Sequence, residues 1–224
     1  TSGARTMRRG RSALSRVAMA SARRPLPSGT RRCAAAALYS TRHHTAITLS
    51  VQYLWAAVAL SYYGLSFNST NLAADPYLAF ALSGLTEIPA TWACARMMDN
   101  PRLGRRLVSA ISMLAISLSL LLGLLVPSLA VAASLVGKFF ATGAFNLIYI
   151  QAAELYPTSV RNTALGVASA SARFGAILAP PLARAFGSSF TMTLIAAASA
   201  IASVLCYSVI PETVGRAMGG ALEA

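Results

Sequence analysis

"GKFFATGAFNLIYIQAAELYPTSVRNTALGVASASARFGAILAP", residues 137–180, holds two apolar runs with a charged, proline-containing break between them. Within the break, Glu154, Pro157 and Arg161 fall inside eight residues, whereas the 27 residues before Gln151 carry a single charge, Lys138. Each run is long enough for a helix to cross the roughly 30 Å hydrocarbon core of a bilayer. Pro157 lacks an N–H and its ring clashes with the preceding turn, so it cannot continue a helix. The stretch therefore predicts two membrane spans joined by a short polar corner at one membrane face.

Working outward, the whole chain has the same character. Of its 224 residues 56% are hydrophobic and only 11% charged, with a mean hydropathy of +0.59; soluble domains carry about 25% charged residues. Six apolar segments are predicted as transmembrane helices, at 46–67, 77–96, 107–126, 129–153, 163–183 and 190–210, joined by short connections. The net charge of +13 is uneven: residues 1–45 hold ten arginines and no acid, and the remainder holds nine bases against six acids. Arginines fall on alternate connections, so the positive-inside bias puts both termini on the cytoplasmic side, as an even number of spans requires. Bases placed beside spans set orientation and give no reason to expect a nucleic-acid partner.

Three regions are expected. Residues 1–45 form a basic, poorly structured segment, residues 46–210 a six-helix transmembrane bundle, and residues 211–224 a cytoplasmic tail. The Arg-, Ser- and Ala-rich, acid-free first region has the composition of a mitochondrial presequence. It also fits a cytoplasmic connector cut from a longer protein, and Thr1 in place of Met favours that reading. Cys33, Cys94 and Cys206 show no metal-ligand spacing and no disulfide framework. His43 and His44 read as juxtamembrane residues beside the first span.

Charges within spans are costly unless they are paired or face water, so each is a functional hypothesis. Glu87 lies in the second predicted span, Lys138 in the fourth and Arg173 in the fifth. Four-residue spacing places Ser83, Glu87 and Thr91 on one face, and Lys138, Thr142, Phe145 and Tyr149 on another. Gly166, Ala170, Arg173 and Ile177 share a third, with small residues flanking the arginine. The structural alternative is that Glu87 pairs with Lys138 or Arg173 and only holds helices together. One acid cannot neutralise two bases, and the surplus positive charge suits an anionic or zwitterionic ligand. Tyr62 and Tyr63, at the end of the first span, serve either as an interfacial anchor or as ligand contacts.

Residues 62–90, "YYGLSFNSTNLAADPYLAFALSGLTEIPA", and the opening stretch closely resemble the organic cation/anion/carnitine transporters of the major facilitator superfamily, and "PETVG" at 211–215 ends the last span as in that family. The resemblance covers about residues 40–224 and implies an all-α membrane protein of six transmembrane helices, the C-terminal half of a twelve-helix fold. It implies alternating access about a midplane site. The substrate-binding residues it implies are Tyr62, Tyr63, Lys138, Phe145 and Arg173; Glu87, as an intramembrane charge, and Tyr149, on the Lys138 face, join them as candidates. The gating residues are Asp99, Arg102, Gly104, Arg105, Arg106, Glu154, Pro157, Arg161 and Glu212, with Glu154 and Arg161 expected to join the charges of the preceding cytoplasmic loop. That loop, "DNPRLGRR", departs from the family's Asp-Arg-x-Gly-Arg-Arg by two apparently inserted residues, Asn100 and Pro101. Arg173 stands where typical cation transporters carry an acid, and together with Glu87 it leans the substrate toward a carnitine-like zwitterion.

The expected function is transport of small organic ions, with a missing six-helix half or a partner chain completing the pathway. The alternatives are a sugar porter and a non-transporting, regulatory half. No nucleophile–base constellation, metal cluster or phosphate-cradling loop is present in the sequence, so neither an enzyme nor a cofactor is expected. The bilayer expected is the plasma membrane, with a mitochondrial membrane as the alternative.

Overall fold

The structure, a computed structural model, describes residues 34–72, 75–98, 100 and 103–214. Asp99, Arg102, most of the 1–45 segment and the end of the C-terminal tail lie outside the described residues. The described chain is all-α, with no strand. Its helices are α1 (Ala34–Leu38), α2 (Arg42–Leu72), α3 (Pro76–Leu85), α4 (Glu87–Met98), α5 (Gly104–Leu125), α6 (Ala130–Leu155) and α7 (Arg161–Ser208), with a 3-10 turn at Pro127–Leu129.

Local chemistry sets most of these ends. Asp75 caps α3, its carboxylate accepting from the N–H of Tyr77 at 2.9 Å and of Leu78 at 3.3 Å, with Pro76 in the first turn. Tyr156 takes an extended conformation at the end of α6, as the residue before Pro157 must. Gly187, at φ 79° and ψ 172°, bends α7 into two limbs. The turn expected between the fifth and sixth spans is therefore a single sharp bend within one continuous helical run.

The second predicted span is corrected. It is two short helices meeting at Thr86, because Pro89 has no N–H to return to the Leu85 carbonyl. The ladder resumes on either side, with Thr86 N–H donating to Leu82 and Ala90 N–H donating to Thr86. Among the described residues, three helical segments are individually long and apolar enough to cross a membrane: Gly104–Leu125, Pro127–Leu155 and the bent Arg161–Ser208.

The bundle packs as membrane helices do, by close approach of small residues and by short polar links. A Cβ on Gly175 would meet the Ala56 carbonyl, and one on Gly64 would meet the Ile195 side chain, so both hold α7 hard against α2. Ser61 and Ser199 hydroxyls lie 3.0 Å apart between the same helices. Ser109 donates to the Gln151 amide oxygen at 3.0 Å, joining α5 to α6, and Ser203 donates to the Ala110 carbonyl at 2.8 Å, joining α7 to α5. The fully buried Trp55, Met113, Ile116, Leu120, Ile148 and Ile195 fill the space between.

Candidate functional site

The break at Thr86 shapes the site. It makes Glu87 the first residue of α4, where a carboxylate also interacts favourably with the helix dipole. Opposite it, α2 presents Tyr62, Tyr63 and Ser66, and α6 presents Lys138; with Phe80 and Ser83 of α3 they line a cavity of about 570 Å³.

Lys138 is 3% exposed, and its charge is fully accounted for. The ammonium lies 3.2 Å from Glu87 Oε1, donates to Ser66 Oγ at 2.6 Å, and stands over the Tyr62 ring 3.1 Å from its centre. Tyr62 donates its hydroxyl to the same Glu87 oxygen at 2.5 Å, and Ser66 donates onward to the Tyr62 carbonyl at 2.8 Å. Such an ammonium is tolerable in a membrane protein because counter-charge, hydroxyl and aromatic face replace its water. The Glu87 side chain is 37% exposed, so the acid is the member of the pair that faces the cavity.

From Tyr62 a run of aromatic rings crosses the bundle. Tyr63 stacks edge-on at 5.2 Å and Phe145 lies at 5.4 Å; Tyr149 follows Phe145 at 5.9 Å, and Trp55 closes on Tyr149 at 4.5 Å. Tyr63 and Tyr149 are exposed in part, whereas Trp55 is buried and its indole N–H has no hydrogen-bond partner. Thr91 and Asn146 join the α4 and α6 walls through a 3.1 Å hydrogen bond donated by the asparagine amide.

Arg173 does not join this cluster. Its guanidinium is exposed and donates to Ser169 on its own helix at 3.0 Å, with no acid in ion-pair range among the described residues. Of the two pairings considered for Glu87, the structure forms the one with Lys138.

A second cluster closes the other end of the bundle. Arg105 forms an ion pair with Glu154, tying the start of α5 to the end of α6. The Glu212 carboxylate caps α5: it accepts from the N–H of Arg105 at 2.9 Å and of Arg106 at 3.2 Å, and from its own neighbours Thr213 and Val214. Leu103, at the usual capping position, offers no side-chain bond, so this distant acid takes its place. Gly104 has φ +69° and lies directly against the Glu212 carboxyl, so both its backbone angle and its missing Cβ are needed. Arg161 donates from Nε to the Tyr156 carbonyl at 3.2 Å, holding the Pro157 corner; the loop acid it is expected to join, Asp99, lies outside the described residues. Tyr156, at that corner, is buried, and burial pushes its phenol above the usual range.

A family model for the Major Facilitator Superfamily matches residues 44–218. The chain belongs to the major facilitator superfamily. Among curated members it is similar to solute carrier family 22 member 15 of Xenopus tropicalis, at 37% identity over 74% of this chain and 33% of that protein. It is also similar to human solute carrier family 22 member 16, at 36% identity over 79% of this chain and 31% of that protein. A third relative is organic cation/carnitine transporter 2 of Rattus norvegicus, at 39% identity over 64% and 26% respectively. The chain thus spans about a third of the length of the curated relatives it matches. The first two are solute carriers and the third a transporter by name, and superfamily membership makes this a membrane protein with no catalytic chemistry to assign. Among the described residues no three His, Cys, Asp or Glu side chains gather to hold a metal.

Sequence reasoning overlooked Ser66, Trp55 and the capping role of Glu212. Ser66 was findable: it follows Tyr62 by four residues and so shares its face. Trp55, set in an apolar run, gave no signal beyond its size.

Proposed function

We propose that this chain forms one half of an alternating-access transporter for small organic ions, with a carnitine-like zwitterion as the substrate class the site suits best. The observation that carries the reading is the cavity of about 570 Å³ in which the Glu87 carboxylate faces outward beside the Tyr62 and Tyr63 rings. A partly exposed carboxylate beside an aromatic ring suits a quaternary ammonium, and Tyr63 supplies that ring, since the Lys138 ammonium already covers the Tyr62 face. Glu87 and Lys138 neutralise one another, which leaves Arg173 as the exposed cation to meet a substrate carboxylate. Phe145 and Tyr149 continue the aromatic wall toward Trp55, whose neighbour Ala56 supports α7 at Gly175, two residues from Arg173. A neutral hexose would have little use for these charges, which disfavours the sugar-porter alternative.

The pathway in this reading needs a second six-helix half. Ile88 and Trp92 on α4, and Phe174 and Ile177 beside Arg173, are large apolar side chains left exposed next to polar site residues. A partner half would cover them. The Arg105–Glu154 pair and the Glu212 cap would then fasten the cytoplasmic end while the halves rock about the midplane. The plasma membrane is the proposed location, tested by imaging a C-terminally tagged protein against mitochondrial and surface markers.

The test of function is radiolabelled uptake in cells expressing the chain alone and fused to the N-terminal six helices of a relative. Carnitine, a quaternary cation and an organic anion are offered in parallel. The expected result is carnitine uptake by the fusion, lost in Arg173→Ala. A surface-expressed fusion that moves none of the three would refute transport and favour a non-transporting half. Carnitine uptake that is equal in wild type and Arg173→Ala would refute the zwitterion assignment.

A further inference from the structure

Apart from the helices that line the Glu87 cavity, α5 and the second limb of α7 leave a groove of about 370 Å³. Its walls are Leu107, Ile111 and Leu114 on one side and Val204, Tyr207 and Ser208 on the other. None of the helices that carry the Glu87–Lys138 pair contributes to it. The surface around it is lipid-facing in character: Ile111, Leu114 and Leu118 on α5, and Ile201 and Val204 on α7, are all exposed and apolar.

One end of the groove is charged. Arg106 stacks on Tyr207, its guanidinium carbon 5.2 Å from the ring centre, so the charge sits at the mouth beside a wall residue. Its neighbour Arg105 is neutralised by Glu154, and Glu212 spends its oxygens on backbone N–H groups. Arg106 has no ion-pair partner among the described residues; its Nε is buried, which leaves the terminal guanidinium nitrogens to meet a ligand. The start of α5 is also where the sequence places its arginine-rich loop, at the level of lipid headgroups.

We propose that this groove binds an anionic phospholipid, one acyl chain lying between α5 and α7 and the phosphate accepting from Arg106. A fork of guanidinium donors suits a phosphodiester, and the apolar walls suit an acyl chain. The site depends only on the chain being a membrane protein, so it stands or falls apart from the substrate assignment.

The test uses the full chain reconstituted in vesicles containing phosphatidylserine with a photoreactive diazirine in one acyl chain, or the matching phosphatidylcholine. Adducts are mapped by mass spectrometry. The expected result is labelling confined to residues 107–114 and 203–208, favouring phosphatidylserine by about fivefold for one surface cation. In Arg106→Gln the two lipids should label equally. In Val204→Trp, which fills the groove from its exposed side, labelling by both should be lost. The wild-type comparison and Val204→Trp decide the matter even where Arg106→Gln fails to fold. Equal labelling by both lipids in wild type, labelling that survives Val204→Trp, or adducts displaced by a sterol but not by unlabelled phosphatidylserine would each overturn the proposal.

Discussion

Removing Glu87 and removing Lys138 should have very different consequences, although they break the same ion pair. At 3.2 Å, two unit charges attract by about 5 kcal/mol at an effective dielectric of about 20. Solvent reaching the 37% exposed Glu87 and competition from the Tyr62 hydroxyl reduce the coupling to about 2 kcal/mol. In Glu87→Gln the ammonium stays at 3% exposure with Ser66, the Tyr62 ring and a neutral amide oxygen but no counter-charge, at a cost of about 3 kcal/mol. Lys138→Met fills the same volume and leaves a carboxylate that still has the Tyr62 hydroxyl and solvent, at about 1 kcal/mol. The double variant should cost about 2 kcal/mol, less than Glu87→Gln alone, because neither charge is then stranded. Cys94 and Cys206 are buried free thiols, so a thiol-reactive fluorophore followed through denaturation reports unfolding directly. Equal losses for the two single variants, or a double variant equal to their sum, would refute the pairing.

The Arg105–Glu154–Glu212 cluster and the helix-contact glycines give further expectations, read by the same assay. Glu212→Ala removes the cap of α5 and should cost about 2 kcal/mol, at the upper end for a lost cap because the acceptor is charged. Gly104→Ala should cost more than the roughly 1 kcal/mol of left-handed strain, since its Cβ meets Glu212; in the Glu212→Ala background only the strain should remain. Glu154→Gln should destabilise by about 1 kcal/mol more than Arg161→Gln, because Arg161 carries no ion pair among the described residues. Gly175→Ala must push α7 away from the Ala56 carbonyl and should cost about 2 kcal/mol, whereas Gly166→Ala, which meets open space, should not destabilise.

The membrane fold was legible because a bilayer imposes a simple length and polarity rule, and the apolar runs of about twenty residues are helical, the second of them in two pieces. Internal breaks were harder. Pro89 announced that α3 and α4 could not be one ladder, yet the apolar run continued across it and was read as a single span. The bend at Gly187 lay within the expected connection, but nothing local to the sequence said that the helix would resume at once. The Lys138–Glu87 pair was one of two that charge alone allowed, and only the facing of α4 and α6 chose between them. The Glu212 cap lies 107 residues from Arg105, beyond the reach of any spacing rule.

The central claim is that Glu87 and Arg173 recognise the two ends of one small zwitterion. It is tested most directly by equilibrium binding of radiolabelled carnitine to the purified fusion with a six-helix N-terminal half, comparing wild type, Glu87→Gln, Arg173→Gln and the control Arg161→Gln. The account predicts saturable binding, weakened at least about tenfold by either site variant, as expected for a lost charge-assisted contact, and unchanged in the control. Undiminished binding in both site variants, all proteins being folded, would contradict it.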